Sequence, residues 1–411
     1  MSLLAKRSIV KEDKSNIITL GAIAKEMKKK DPSVVNATIG MLYDEEGKLF
    51  VFDSVNEALN NLTDDEKFSY ASTPGPDTYH EAIKHWVLRE HYSSFMNVGV
   101  MATPGGSGAI SNTFSNYLNP GDEVLLPNYM WGNYKQFAYE NYASFRTYSL
   151  FDENNKFNLK DIYNQMVSLK NKQGRILLVI NDPCQNPTGY TMSFDEWKSI
   201  INMINELSND GTPVILLHDM AYIDYDKRGF KATRDKIALY KNLNSNAMAI
   251  MAFSGSKTMA LYGIRVGAMI AVSNSEENIL EFNKANKFSS RAKWSNTTNL
   301  GMNLITKVLT DDKLRNKFEE ELELSRKTLI DRANMFIEKS NEVGLKTLPF
   351  DCGFFITIPC SNPNSVYQYL VDKKIHIIPM DNVIRVTISA ISIKDCKKLP
   401  ILIKEAIDYC K

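Results

Sequence analysis

The chain has 411 residues, 49 basic and 48 acidic side chains for a net charge of +1, and 44% hydrophobic residues. Balanced charge excludes a nucleic-acid surface and an electrostatic membrane anchor, and no apolar run reaches the roughly 18 residues that a spanning helix needs. Five cysteines, at 184, 352, 360, 396 and 410, are odd in number and form no CxxC pair, and the five histidines do not cluster; a disulfide framework and a metal site are therefore not expected, and a reducing cytoplasm fits best.

The first sixteen residues, MSLLAKRSIVKEDKSN, lack the apolar core of a signal peptide. Short apolar runs then alternate with helical patterns. The runs VGVMA (98–102), EVLLP (123–127), FRTYS (145–149), ILLVIN (176–181), VILLHD (214–219), AMAIMAF (247–253) and GAMIAV (267–272) read as strands, and FDEWKSIINMINELSN (194–209) as one of the helices between them. This alternation predicts an α/β domain with a mostly parallel sheet covered on both faces. Only 13 residues separate the last two strands, too few for a helical crossover, so the final strand is expected to run antiparallel. Residues from about 275 to 345 read as one long, charge-rich helix closed by Gly344. FFITIP (354–359), IHIIP (375–379), VIRVTIS (383–389) and a last helix follow as a smaller α+β unit. The expected division is a large domain over 46–300 and a small one built from 1–45 and 301–411.

The turn SGSKTMALYGIRVG (254–267) joins the last two strands and collects chemistry. A turn lysine is ordinarily solvated, but Lys257 follows Ser254-Gly255-Ser256 and precedes Arg265, a fork suited to phosphate. The P-loop pattern GxxxxGK[ST] is absent. The remaining option is a lysine that forms a Schiff base with a phosphorylated aldehyde, pyridoxal 5′-phosphate. Such a cofactor requires a carboxylate for its ring nitrogen, donors for its ring oxygen and a flat group over its face. Candidates follow the strands, where open α/β sheets place ligands. Asp219 and Tyr222 in HDMAY follow one; a post-strand aspartate is equally a helix cap. NPTG (186–189) is also an ordinary turn. GGSGAI (105–110) opens a helix whose free N–H groups suit phosphate. WGN (131–133) offers an aromatic that core packing would also explain.

Taken in order, VNATIGMLYDEEGKLF, FSYASTPGPDTYHEAI, GGSGAI, WGNY, NPTG, DMAY, SGSKTMALYGIRVG, RAKWSN and VIRVTIS resemble class I aminotransferases of the fold type I pyridoxal-phosphate enzymes, most closely the aspartate and aromatic amino acid branch. The resemblance covers nearly the whole chain. It implies that the large domain binds the cofactor and the small domain closes on the substrate. Lys257 would carry the cofactor and act as general acid and base. Asp219 would pair with the ring nitrogen, and Tyr222 and Asn186 would donate to the ring oxygen. Gly105, Gly106, Ser107, Ser254, Ser256 and Arg265 would hold the phosphate, and Trp131 would stack on the ring. Tyr70 would reach the phosphate of a second subunit, so the resemblance implies a homodimer with shared sites.

Arg385 would bind the substrate α-carboxylate. It lies between β-branched residues, so a buried charge with a partner is expected there. Arg291 would bind the distal carboxylate of a dicarboxylic substrate, and Gly40 would lie beside the substrate on a mobile segment. Met41, Leu42 and Phe355 are candidate apolar walls. Three positions depart from the family pattern: Gly105 where serine is frequent, Tyr134 in place of a histidine that supports the ring-nitrogen carboxylate, and RAKWSNTTNLG without the prolines usual after its SN pair. The implied reaction is ping-pong transamination between an amino acid, aspartate and/or aromatic, and a 2-oxo acid such as 2-oxoglutarate. A β-lyase or decarboxylase on the same fold is the alternative. A cofactor-sensing transcription regulator would need a DNA-binding region ahead of the first motif, and none is apparent there.

Overall fold

The computed structural model describes residues 2–9, 11 and 16–411; the N-terminal stretch read above as lacking a signal peptide lies partly outside the described residues. Seven strands form the central sheet: β1 (Val98–Thr103), β2 (Glu123–Pro127), β3 (Ser144–Tyr148), β4 (Ile176–Asn181), β5 (Val214–Asp219), β6 (Ala247–Ser254) and β7 (Gly267–Val272). Their order is β1-β7-β6-β5-β4-β2-β3. The pairs from β6 to β3 are parallel, while β7 is antiparallel to both β6 and β1. The short turn after β6 therefore reverses the chain, as its length requires.

The central strands are apolar along their whole length because both faces are covered. Leu178, Leu216, Met251 and Ile270 enter one core with Trp197 and Ile200 of the helix Phe194–Ser208. Their neighbours Val179, Leu217, Ile250 and Met269 enter another with Ile110 and Phe114 of the helix Gly105–Tyr117. Register then aligns the strand ends. Asn181 lies opposite Asp219, Asp219 opposite Ala252, and Gly267 opposite both Ser254 and Thr103. The residues singled out from sequence thus share one rim of the sheet.

Three further strands, β8 (Phe355–Pro359), β9 (Ile378–Met380) and β10 (Val383–Thr387), form an antiparallel sheet in the order β9-β10-β8. Val35–Asn36 pairs in parallel with Ile375–His376, which brings the N-terminal segment to this unit. Its own core gathers Val35, Phe336, Ile356, Ile384 and Leu399. Among the described residues, no helix is long and apolar enough to cross a membrane, and all five cysteines are free thiols.

The single helix expected over 275–345 is three: Glu276–Lys293, Asn299–Thr310 and Asp312–Glu342. Capping residues inside the charge-rich run cause the breaks. Ser295 takes a left-handed φ of 69°, Thr298 accepts the N–H of Gly301, and Asp311 accepts the N–H of Leu314. A side-chain oxygen that binds a backbone donor two or three residues on starts a new helix. The third helix has 31 residues. Its Leu314, Phe318, Leu322 and Leu329 pack in the sheet core, whereas Ala333 and Phe336 pack in the smaller core.

Candidate active site

A cavity of about 670 Å³ opens at the C-terminal rim of the parallel strands. It is lined by Gly40, Gly106, Ser107, Trp131, Asn186, Asp219, Tyr222, Ser254, Ser256, Lys257, Arg265 and Arg385. Of the residues singled out for a site, only Gly105, Tyr70 and Arg291 are not on its wall. Gly105 lies just behind it: a Cβ added there would stand 2.9 Å from Arg265 Nη2, and its φ is 67°. A left-handed backbone packed against a guanidinium admits no side chain without strain, which accounts for glycine where a serine is frequent. Tyr70 is 94% exposed. Arg291 is exposed at the end of its helix and donates to Ser295 Oγ at 2.6 Å. Met41 and Phe355 also line the cavity, whereas Leu42 is sealed in the sheet core.

Lys257 sits in a one-turn helix, Gly255–Thr258, that begins directly from β6. Two bonds hold this turn from beneath. Tyr225 Oη donates to the carbonyl of Lys257 at 3.1 Å, and Thr258 Oγ1 donates to Asp224 Oδ2 at 2.8 Å. Asp224 is itself fixed by Arg234 at 2.6 Å, and both side chains are fully buried. The Lys257 ammonium donates to the carbonyl of Gly40 and faces the Tyr262 ring, 4.8 Å from its centroid. Burial, then the Arg385 and Arg265 cations, lower its pKa from 10.5 to about 7. This lysine is poised near neutrality, as a nucleophile or base must be.

Arg265 completes the turn with φ 58°, a conformation that costs a non-glycine residue about 1–2 kcal/mol. Its Nη1 donates to Ser256 Oγ at 2.9 Å and to the carbonyl of Tyr262 at 3.1 Å. Across from it the helix Gly105–Tyr117 begins after Pro104 with no side-chain cap. Free N–H groups at that end, three serine hydroxyls and a guanidinium form a cup for a dianion.

Asp219 is buried at the end of β5. Tyr134 Oη donates to its Oδ2 at 2.5 Å, and the N–H of Ala221 to its Oδ1 at 3.2 Å. Burial raises the Asp219 pKa, and these two donors oppose that rise without cancelling it. Tyr134, completely buried and edge-on to Trp131 at 5.6 Å, therefore supports the carboxylate itself.

Arg385 points into the cavity from β10, only 4% exposed. Its partners are neutral oxygens: Asn186 Oδ1 at 3.2 Å and the carbonyl of Thr38 at 2.9 Å. The Phe355 ring lies 4.4 Å beneath it, and its Nε has no partner. Burial lowers its pKa from 12.5 to about 10. The partners expected for this charge are present, but among the described residues none of them is an anion; a buried guanidinium in that state is an anion receptor. Sequence reading missed Asp224, Tyr225 and Tyr262 as supports of the lysine turn. The first two stand in DMAYIDYD beside Tyr222, but only the fold brings them beneath residue 257.

The family model for aminotransferases of class I and II matches residues 32–400. The aspartate aminotransferase of Salmonella typhi is 27% identical over 326 residues, which are 76% of this chain and 78% of the relative. Among solved structures, an aminotransferase from Anaerococcus prevotii superposes with a TM-score of 0.95 at 28% identity, covering 99% of this chain and 100% of the other. An aromatic-amino-acid aminotransferase from Burkholderia pseudomallei, covalently bound to pyridoxal phosphate, superposes with a TM-score of 0.79 at 21% identity, over 99% of this chain and 100% of that one.

Proposed function

The chain belongs to the class I and II aminotransferases, and on that premise we propose that it moves the amino group of an L-amino acid, aspartate or aromatic, to a 2-oxo acid such as 2-oxoglutarate with pyridoxal 5′-phosphate. The residues present fit that cofactor. The dianion cup at Gly106, Ser107, Ser254, Ser256 and Arg265 suits its phosphate, with Gly105 left bare so that nothing fills the cradle. Asp219 suits its ring nitrogen, Asn186 and Tyr222 its ring oxygen, and Trp131 its face. Bound there, the cofactor delocalises the electron pair left when a bond to the substrate's α-carbon breaks.

The protein supplies position and protons. Arg385 receives the α-carboxylate by a two-bond fork and so orients the α-carbon. Lys257, near its neutral form at physiological pH, takes the α-proton at Nζ and returns a proton in the reverse half-reaction. Gly40 lies over the lysine and close to Phe355: a Cβ there would meet the ring at 2.6 Å. The segment 38–41 therefore sits tight against the substrate position. The single observation that carries the reading is a buried guanidinium without an anion sharing one cavity with a neutral-leaning lysine.

Tyr70 and Arg291 belong to this proposal through a homodimer, in which a second copy would bring its exposed Tyr70 to this phosphate cup and its Arg291 toward this substrate. The division into a cofactor-binding body and a substrate-closing body belongs to it too, and the packing of the helix Asp312–Glu342 supports a seam within that helix rather than at residue 300. The test is to supply the purified protein and pyridoxal phosphate with aspartate, tyrosine, phenylalanine or alanine and 2-oxoglutarate. Glutamate should form from at least one donor, and Lys257→Ala should form none while remaining folded. Ammonia released without any oxo acid would replace transamination with the lyase reading.

A further inference from the structure

Five charged side chains line the cavity: Lys25, Asp219, Lys257, Arg265 and Arg385. Resting on the proposed transamination, four of them have assigned counterparts. Arg265 faces the phosphate, Arg385 the α-carboxylate, Asp219 the ring nitrogen, and Lys257 gives up its charge to react. Lys25 is left over.

Its position is built rather than incidental. Lys25 stands on the helix Asn16–Lys30, one turn beyond Ala22, which also lines the cavity; residues three apart share a helix face. The helix is seated against the segment that leads to Gly40. At Gly21 a Cβ would lie 2.9 Å from the Ile39 side chain and 3.4 Å from the Thr38 hydroxyl, so a larger residue would have to displace the Ile39 side chain. Thr38 and Gly40 in turn give their carbonyls to Arg385 and Lys257. The lysine, itself exposed, is thus held at the cavity mouth by the same chain segment that touches Arg385 and Lys257. Among the described residues Lys25 makes no hydrogen bond or ion pair, and its neighbour Glu26 is committed to Lys29 at 2.7 Å. Arg291 of the same chain is exposed, bonded to Ser295 and off this cavity's wall, so an arginine at that position reaches a substrate here only from a second copy.

We infer that Lys25 is a specificity-determining residue that receives the second acidic group of a dicarboxylic substrate, from within the same chain. An ammonium on a flexible stem at a cavity mouth attracts a carboxylate without demanding one geometry, so it favours acidic side chains while leaving room for an aromatic ring beside Met41 and Phe355.

The test compares wild type with Lys25→Met and Arg291→Met in two readouts. In single-turnover half-reactions of the holoenzyme without oxo acid, Lys25→Met should lower the second-order rate constant for aspartate about 10-fold or more and leave phenylalanine within about 2-fold, since a hydrogen bond to a charged group carries that much discrimination. In calorimetry, succinate should bind Lys25→Met about 10-fold more weakly, and the difference should shrink as salt rises. Equal losses for aspartate and phenylalanine, unchanged succinate binding, or a discrimination that vanishes in Arg291→Met while Lys25→Met is silent would each overturn the inference. A wild-type protein that transaminates nothing would refute the activity, and the succinate titration would still decide the lysine.

Discussion

Replacing Lys257 by methionine should make the cofactor-free protein more stable, not less. Burial of the ammonium, and then the Arg385 and Arg265 cations beside it, bring its pKa from 10.5 to about 7. Between those two values the unfolded chain binds a proton that the folded chain does not, so wild-type stability rises with pH across this window. Below about pH 7 the folded protein carries the whole penalty. At about 1.4 kcal/mol for each tenfold in proton affinity, the drop amounts to about 5 kcal/mol. The lost hydrogen bond to the Gly40 carbonyl offsets about 1 kcal/mol of the gain. Lys257→Met should therefore exceed wild type by about 4 kcal/mol at pH 6, and by about 1 kcal/mol at pH 9. Equilibrium denaturation of both proteins, freed of cofactor, at the two pH values reads this directly. A variant no more stable than wild type at pH 6, or an advantage that does not shrink at pH 9, would show that the cavity does not strain this lysine.

Two more changes probe the supports of the site. Tyr134→Phe removes a donor to a buried carboxylate and should cost about 1.5–3 kcal/mol at neutral pH. Because the phenol holds the Asp219 pKa down, this deficit should fade on acidification as the carboxyl protonates, and a loss independent of pH would point to packing instead. Asp224→Asn leaves Arg234 buried without its counter-charge and should destabilise by about 3–5 kcal/mol. The double variant with Arg234→Met should recover much of that loss in the same denaturation assay, and failure to recover would mean that Asp224 acts mainly through its other donors, Thr258 and Trp86.

The parts of the fold legible in sequence were those where one local pattern decides the structure. Six apolar runs read as buried strands, the seventh, FRTYS, forms an edge strand exposed over most of its length, and a connection of 13 residues forced β7 to reverse. The breaks near Ser295 and Asp311 were hidden because serine, threonine and aspartate are as common on a solvated helix as at a cap, and only backbone geometry tells the two apart. The same limit applied to the site. Residues at strand ends could be placed on one rim from their order alone. Lys25 and Tyr262 enter the cavity from an N-terminal helix and from a turn, and neither carries a local sign of its destination. Tyr134 was visible only as an oddity, until its hydroxyl met Asp219.

The helix Asp312–Glu342 has a mechanical consequence. With 31 residues it is a rod about 46 Å long, rooted at one end beneath the sheet and at the other beneath Arg385 and its strand. Between Leu329 and Ala333 the rod passes from one core to the other. At Arg332, next to Ala333, the guanidinium clasps Glu45 and the carbonyls of Tyr43 and Ser389. The crossover and the segment holding Tyr43 and Glu45 are thus latched together, so strain at one is felt at the other.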